Sequence, residues 1–215
     1  MTPPPRGRAR RRCCRRLRGG EHVGGHVGGP TMACVLGKLA TEVATRRPDL
    51  LAPAVVVALD AWAADTSVSV GDVLVAPINP DLADTAAFCA EYDVGMDVSA
   101  NCVVVAGKRE GQVRYAACLV LATTRADVNG VVRRHLDVRK ASFLAMAEAV
   151  ELTGMEYGGI TPLGLPADWR VLVDAAVAAT PAVVIGSGVR RSKIVLPGRA
   201  LAALPTAVVL ENLGQ

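Results

Sequence analysis

Residues 103–121 read VVVAGKREGQVRYAACLVL, two apolar runs separated by a polar segment that Gly107 and Gly111 bound. Valine-rich runs favour strands, and glycines between two such runs favour a tight reversal of the chain. We therefore predict an antiparallel hairpin with strands at Val103–Val105 and Val113–Leu121.

On the N-terminal side of this hairpin, apolar residues at helical spacing predict helices. These segments are 34–47, 53–64 and about 87–92, the last capped by Asp81 or Asp84 and ended by Gly95. Alternating valines between residues 66 and 78 predict a strand.

On the C-terminal side, helices and strands are interleaved. Helices are expected at about 128–136, 143–153 and 175–179 and after Pro197, and strands at 171–173, 183–185, 193–196 and 208–210. Hairpins coexist with crossovers and no long repeat period is present, which is typical of an α/β chain of the α+β type, a mixed sheet wrapped by helices.

The 215 residues carry a formal net charge of +4, but this charge is unevenly distributed. Residues 1–31 contain eight arginines and one acid, Glu21, so they carry +7 and the remaining chain carries −3 (4 − 7). Arginine and glycine repeats cannot bury apolar surface, which predicts a disordered tail over 1–31 and a single domain over 32–215. Aromatic residues make up only 3% of the chain, which disfavours a module built on base stacking.

The six cysteines form no Cys-x-x-Cys pair, and too few are present for a disulfide scaffold in a chain of this length. A reducing cytoplasm is therefore expected. No apolar stretch is long enough for a membrane span, and the segment after the arginines, Gly19-Gly20-Glu21-His22, is no signal-peptide core. His22 and His26 lie near Cys13 and Cys14 in the sequence, but no helix is predicted to hold them in a fixed geometry, so a metal is not expected. The sequence also gives no sign of an organic cofactor.

Familiar hydrolase motifs are missing from the sequence. It contains no Gly-x-Ser-x-Gly elbow, no His-Glu-x-x-His and no Gly-x-x-x-x-Gly-Lys phosphate loop. Outside the tail the single histidine is His135, expected on a helix surface, so a Ser-His-Asp triad is not indicated.

The most unusual stretch is residues 154–165, GMEYGGITPLGL, called here the glycine bend. A helix end followed by ordinary turns would account for Gly154, but not for Gly158, Gly159 and Pro162 together. Glycines at this density allow the backbone to approach a ligand and to present N–H groups to it. We interpret the bend as an element that binds a ligand through its backbone N–H groups.

The Gly158-x-x-x-Pro162 spacing, the strand end Val171–Asp174 and the Gly186-Ser187-Gly188 turn together resemble the YbaK family. This family includes the editing domain of bacterial prolyl-tRNA synthetases, and the similarity covers about residues 83–213. The resemblance implies a mixed, barrel-like sheet flanked by helices. It also implies hydrolysis of the ester of mischarged aminoacyl-tRNA, with the tRNA acceptor end and an aminoacyl-tRNA synthetase as partners.

The resemblance assigns roles to individual residues. The bend at Gly158, Gly159 and Pro162 would hold the ester carbonyl through its backbone, with water activated chiefly by the substrate's ribose hydroxyl. Substrate contacts are expected from Thr161, Asp174, Ser187 and Gly188, and tRNA contacts from Arg190, Arg191 and Lys193. For Asp174 a helix cap is the alternative role, and for the basic cluster a solvated hairpin edge.

Asn101 is a departure from the family pattern. It occupies the position before the first long hairpin strand where the family usually has a lysine, and it contributes hydrogen bonds but no charge. We still expect Asn101 to be a catalytic residue that orients water or bonds a ribose hydroxyl. Two hypotheses therefore remain open, a trans-acting deacylase and a non-catalytic module that binds an aminoacyl or nucleotide ligand or a protein. A third, nucleic-acid binding through the arginine tail, predicts salt-sensitive binding that a chain starting at Met32 lacks.

Overall fold

The computed structural model describes residues 37–64 and 69–215. The predicted tail 1–31 lies outside these residues, as do His22, His26, Cys13 and Cys14, so the predictions made for them stay predictions.

The described strands are β1 (Glu42–Val43), β2 (Leu74–Pro77), β3 (Ala100–Arg109), β4 (Gln112–Leu121), β5 (Ala141–Phe143), β6 (Arg170–Asp174), β7 (Val183–Gly186), β8 (Ser192–Leu196) and β9 (Ala207–Leu210). The described α-helices are α1 (Pro53–Ala64), α2 (Thr85–Tyr92), α3 (Arg133–His135), α4 (Met146–Thr153), α5 (Ala175–Ala179) and α6 (Gly198–Ala202). A π-helical turn, Val128–Val132, leads directly into α3.

The strands form two sheets. One has the order β1-β2-β8-β7 and is antiparallel throughout, whereas the other has the order β5-β3-β4-β6-β9 and includes parallel pairs of β6 with β4 and with β9. A parallel bridge between Ser99 and Val184 connects them. The predicted mixed sheet flanked by helices is confirmed, while barrel-like closure is not.

The predicted hairpin is confirmed and is longer than the apolar runs alone indicated. β3 and β4 pair from Ala100 with Leu121 to Arg109 with Gln112. The turn is only Glu110-Gly111, with φ of 53° and 80°. Positive φ at both positions is typical of the two-residue turns that match the right-handed twist of strands. Because two residues complete the turn, the polar segment from Gly107 to Arg109 stays in the strand.

Alternating side chains place the strands between core clusters. Along β4, Leu119 belongs to a central cluster and its neighbours Cys118 and Val120 to a second one. Along β8, Ile194 points to the central cluster and Val195 to a third one. Because strand side chains alternate between faces, the central cluster lies between the two sheets and the other two clusters cover their outer faces.

Most other predicted elements are confirmed, including α1 and α5 at their predicted bounds. The helix predicted over 34–47 is wrong for its described part, since β1 and a 3₁₀ turn at Ala44–Arg46 occupy this segment. Backbone pairing of Val43 with Leu74 takes the place of helical hydrogen bonds. No described helix has both the length and the apolar character that crossing a bilayer requires.

Candidate functional site

A pocket of about 390 Å³ opens where the two sheets meet. Its walls come from the start of β3, the N-terminus of α2, the β5–α4 connection, the glycine bend and β7. The residues that line it include the polar residues Asp84, Thr85, Ser99, Asn101, Arg190 and Lys193. The structure therefore brings Asn101, the bend and two residues of the predicted basic cluster together.

Asn101 lies at the start of β3 and is half-buried. Its Oδ1 accepts a hydrogen bond from Thr85 Oγ1 at 2.7 Å. Thr85 is the first residue of α2, whose N-terminus Asp84 caps by accepting from the N–H groups of Ala86 and Ala87. A capped helix end thus fixes the hydroxyl that orients the Asn101 amide.

Lys193 is the most enclosed charge of the pocket. Its side chain is on β8, with only 7% of the residue exposed. Nζ donates to the Ala83 carbonyl at 3.0 Å and lies 5.2 Å from the centroid of the Phe88 ring. Burial lowers the pKa of the Lys193 ammonium, with the neighbouring Arg190 adding to this, whereas Cys89 and Asp84 act in the opposite direction.

The glycine bend starts as the C-terminal cap of α4. Gly154 has a φ of 65° and donates to the Val150 carbonyl at 2.9 Å. Further along, the Gly159 N–H is used in a turn, donating to the Glu156 carbonyl at 2.9 Å. Gly158 and Ile160 both line the pocket, and no acceptor within residues 37–64 and 69–215 bonds their N–H groups.

The bend is fastened to the turn between β7 and β8. The Gly188 N–H donates to the Gly159 carbonyl at 2.7 Å, and the Glu156 N–H donates to the Gly188 carbonyl at 2.9 Å. A Cβ on Gly159 would lie 2.6 Å from the carbonyl oxygen of Val189. Gly159 is therefore needed for this close backbone approach, and its own N–H is not available to a ligand.

Ser187 supports the turn from inside the protein instead of lining the pocket. It is fully buried, and its Oγ lies 2.7 Å from Ser192 Oγ and within hydrogen-bond distance of the carbonyl oxygens of Val189 and Ser192. Ser192 Oγ in turn donates to the Leu50 carbonyl. A direct contact of Ser187 with substrate has no support in this arrangement, and Gly188 lies outside the pocket lining as well.

Three further predicted site residues lie away from the pocket wall. Thr161 is fully buried, with no hydrogen-bond partner for Oγ1 among the described residues, and Pro162 beside it is buried too. Asp174 accepts from the N–H groups of Ala176 and Gly214 at 2.9 and 2.7 Å. This is the helix-cap role that the sequence left as the alternative, extended to the C-terminal segment.

The predicted basic cluster is divided among three environments, because the strand that follows the turn alternates between faces. Arg190 is half-buried at the pocket and donates to the carbonyls of Tyr157 and Pro80. Arg191 is exposed and donates to the Asp49 carbonyl away from the pocket. Lys193 is enclosed, as described above, so a shared phosphate-binding surface is not formed by these three residues.

Exposed apolar side chains around the pocket were not predicted. Phe143 is 62% exposed, Tyr157 58% and Met146 57%, and all three line the pocket. The other five aromatic residues are buried or half-buried. The low aromatic content disfavoured base stacking, but the position of Tyr157 inside the glycine bend was a signal that could have identified this surface.

Within the described residues, no group of three or more His, Cys, Asp or Glu side chains is placed to hold a metal ion. Burial raises the pKa of the thiols of Cys89, Cys102 and Cys118, that of Cys102 to about 12. Thiols protonated at neutral pH are weak nucleophiles, so these three cysteines are poorly suited to nucleophilic catalysis.

The family model of the aminoacyl-tRNA editing domain matches residues 79–204. The chain belongs to this family. The match spans the pocket, the glycine bend and the β7–β8 turn of this editing domain, and it confirms the resemblance that the ordered motifs indicated.

Several solved structures have the same fold, and the alignment with this chain covers nearly their whole length. One, provisionally described as a trans-editing enzyme for prolyl-tRNA synthetase, is 20% identical with a TM-score of 0.62, covering 77% of this chain and 99% of its own. The hypothetical protein APE2540 is 18% identical with a TM-score of 0.62, covering 74% and 99%. A scaffold protein from computational epitope grafting is 22% identical with a TM-score of 0.61, covering 76% and 96%. At these identities the likeness shows the fold alone; no curated protein matches the chain.

Proposed function

We propose that this editing domain hydrolyses the ester bond of mischarged aminoacyl-tRNA as a separate, trans-acting protein. The observation that carries the proposal is that one pocket is lined by Asn101, by two residues of the glycine bend with unbonded N–H groups, and by the cations Arg190 and Lys193. The family acts on aminoacyl esters, and these groups are donors suited to an ester and its attached nucleotide.

The reaction needs little side-chain acid–base chemistry. Water attacks the ester carbonyl carbon, the π pair moves to the carbonyl oxygen, and the N–H groups of Gly158 and Ile160 stabilise that oxyanion. The substrate's neighbouring ribose hydroxyl orients the water. When the tetrahedral intermediate collapses, the bond to the esterified ribose oxygen breaks, and that oxygen takes up the proton that the water loses.

The mouth of the pocket suits the end of a nucleic acid. The exposed rings of Phe143 and Tyr157 offer surfaces on which an unpaired base can stack. Arg190 is half-buried there, and its guanidinium still has donors beyond the two that bond backbone carbonyls. We assign the terminal base to the rings and the nearest phosphate to Arg190.

A cytoplasmic setting, where mischarged tRNA is produced, and transient contact with an aminoacyl-tRNA synthetase follow from the same proposal. Neither Arg191 nor Asp174 takes part in it, since Arg191 faces away from the pocket and Asp174 holds a helix end.

The second candidate is a non-catalytic module that binds the same kind of ligand. The observation that favours it is that Asn101 is uncharged and already bonded to Thr85, while the Gly159 N–H is used inside the bend. Both features reduce the donors available for catalysis.

Hydrolysis of a panel of mischarged tRNAs distinguishes the two candidates. We expect release of the amino acid from at least one member, and a decrease of at least tenfold in rate for Asn101→Ala. Thr180→Val is the matched control, because Thr180 directly follows α5 and its hydroxyl bonds the Ala176 carbonyl of that helix, away from the pocket. If the protein releases no amino acid from any tRNA but still binds one, the binding module is the correct function.

A further inference from the structure

Lys193 carries a charge that the protein itself does not neutralise. Among residues 37–62 and 69–215 it is the one lysine or arginine that is buried, at 7% exposure. Taking an ammonium out of water is costly unless other groups replace its hydration. The contacts made by Lys193 therefore need to be counted.

These contacts leave most of its hydrogen-bonding capacity unused. An ammonium has three N–H donors, and one described acceptor, the Ala83 carbonyl, receives a bond from Nζ. The face of the Phe88 ring, 5.2 Å away, adds a weak attraction. No described carboxylate forms an ion pair with it, and the nearby Asp84 carboxylate is engaged in capping α2.

Its position in the fold explains how a lysine came to be enclosed. β8 is an interior strand that pairs with β2 on one side and β7 on the other. Lys193 shares a strand face with Val195, which packs in the third core cluster. An apolar side chain would fit this environment better, so a lysine that also lines the pocket indicates a ligand that uses its remaining donors.

We propose that Lys193 is a catalytic residue whose ammonium binds the carbonyl oxygen of the scissile ester. This inference rests on the function proposed above and adds a charged donor to the two backbone N–H groups. As water forms the new bond to carbon, the π pair moves onto the oxygen that Lys193 holds. Lys193 keeps its proton throughout, and the proton from water goes to the departing ribose oxygen.

The alternative ligand for a pocket cation is a phosphate, which the function proposed above gives to Arg190. Arg190 is half-buried at the mouth, whereas Lys193 is enclosed and leaves little room for a hydrated phosphodiester. The two cations therefore contact different parts of the same substrate.

Lys193→Met tests the proposal, because methionine keeps the length and apolar stem of the side chain while removing the charge. The substrates are a mischarged tRNA and the same amino acid esterified to adenosine, which has no phosphate. We expect kcat to fall by about 10²–10³-fold on both substrates, with KM changing far less. The thermal midpoint should stay equal or rise, since an unpaired buried charge is removed. Arg191→Met, outside the pocket, is the control and should retain its rate within about twofold.

A binding measurement keeps this test independent of turnover. An adenosine 3′-phosphonate that mimics the tetrahedral oxyanion is titrated calorimetrically, and Lys193→Met should bind it at least about thirtyfold more weakly. Unchanged binding, or a loss confined to KM on the phosphate-bearing substrate, overturns the proposal even if the wild type is an active deacylase. If the wild type releases no amino acid, the proposed function fails, and the phosphonate titration still decides whether Lys193 binds such an oxyanion.

Discussion

At the scale of single residues, the orientation of Asn101 depends on the hydroxyl of Thr85. Thr85→Val keeps the shape of the side chain and removes the donor to Asn101 Oδ1. Because a hydrogen bond of this kind contributes about 0.5–1.5 kcal/mol, we expect kcat/KM for ester hydrolysis to fall by about two- to tenfold. Steady-state kinetics with Thr180→Val as control checks this, and an equal decrease in both variants would contradict a specific role.

Some residues with a predicted contact role line the pocket, whereas others lie away from it. Gly158 and Asn101 line the pocket. Asp174 and Ser187 end or follow strands, and a one-residue change of facing sends a strand side chain to the opposite side of the sheet. The sequence alone does not fix that facing.

At the scale of elements, the close approach of the glycine bend to the β7–β8 turn sets the shape of the pocket. Gly159→Ala would place a methyl group 2.6 Å from the Val189 carbonyl oxygen, where only backbone can yield. We expect a loss of about 1–3 kcal/mol in the free energy of unfolding, measured in urea, together with lower ester hydrolysis.

Gly71→Ala is the matched control for this substitution. The nearest atom to its added Cβ would be Ser69 Oγ at 3.6 Å, an ordinary contact, so the expected change in stability is within about 0.5 kcal/mol. Equal stability of the two variants would show that the bend relaxes freely and does not define the site.

The same scale shows which elements a sequence can predict. The hairpin and α1 have local signals, two valine-rich runs around a turn and apolar residues at helical spacing after Pro53, and both elements are present. The segment before Pro48 also has helical spacing, but Val43 pairs with Leu74 more than 30 residues away. A solvated hairpin edge was the alternative environment predicted for Lys193. The pairing of β8 with the distant β2 encloses it instead, and this pairing has no local signal in the sequence.

At the scale of the whole molecule, Cys118 reports on complete unfolding. It is fully buried in the second core cluster, and burial raises the pKa of its thiol. We expect no alkylation of Cys118 at pH 8 in the native protein, with modification starting only in the urea range where circular dichroism shows unfolding. Peptide mapping by mass spectrometry identifies the modified cysteine, and modification well below that transition would contradict a single cooperative unit.

The bridge from Ser99 to Val184 lies at the pocket, where the two sheets meet, so each sheet forms one wall of the pocket. The side chains of the central cluster fill the space between the two sheets, so their volume sets the distance between the walls of the pocket. A methyl group gained or lost in that distant interior would widen or narrow the opening without altering any side chain that meets the ligand. If the proposed deacylase activity holds, we therefore expect its preference among acyl groups of different size to change through mutations in the central cluster.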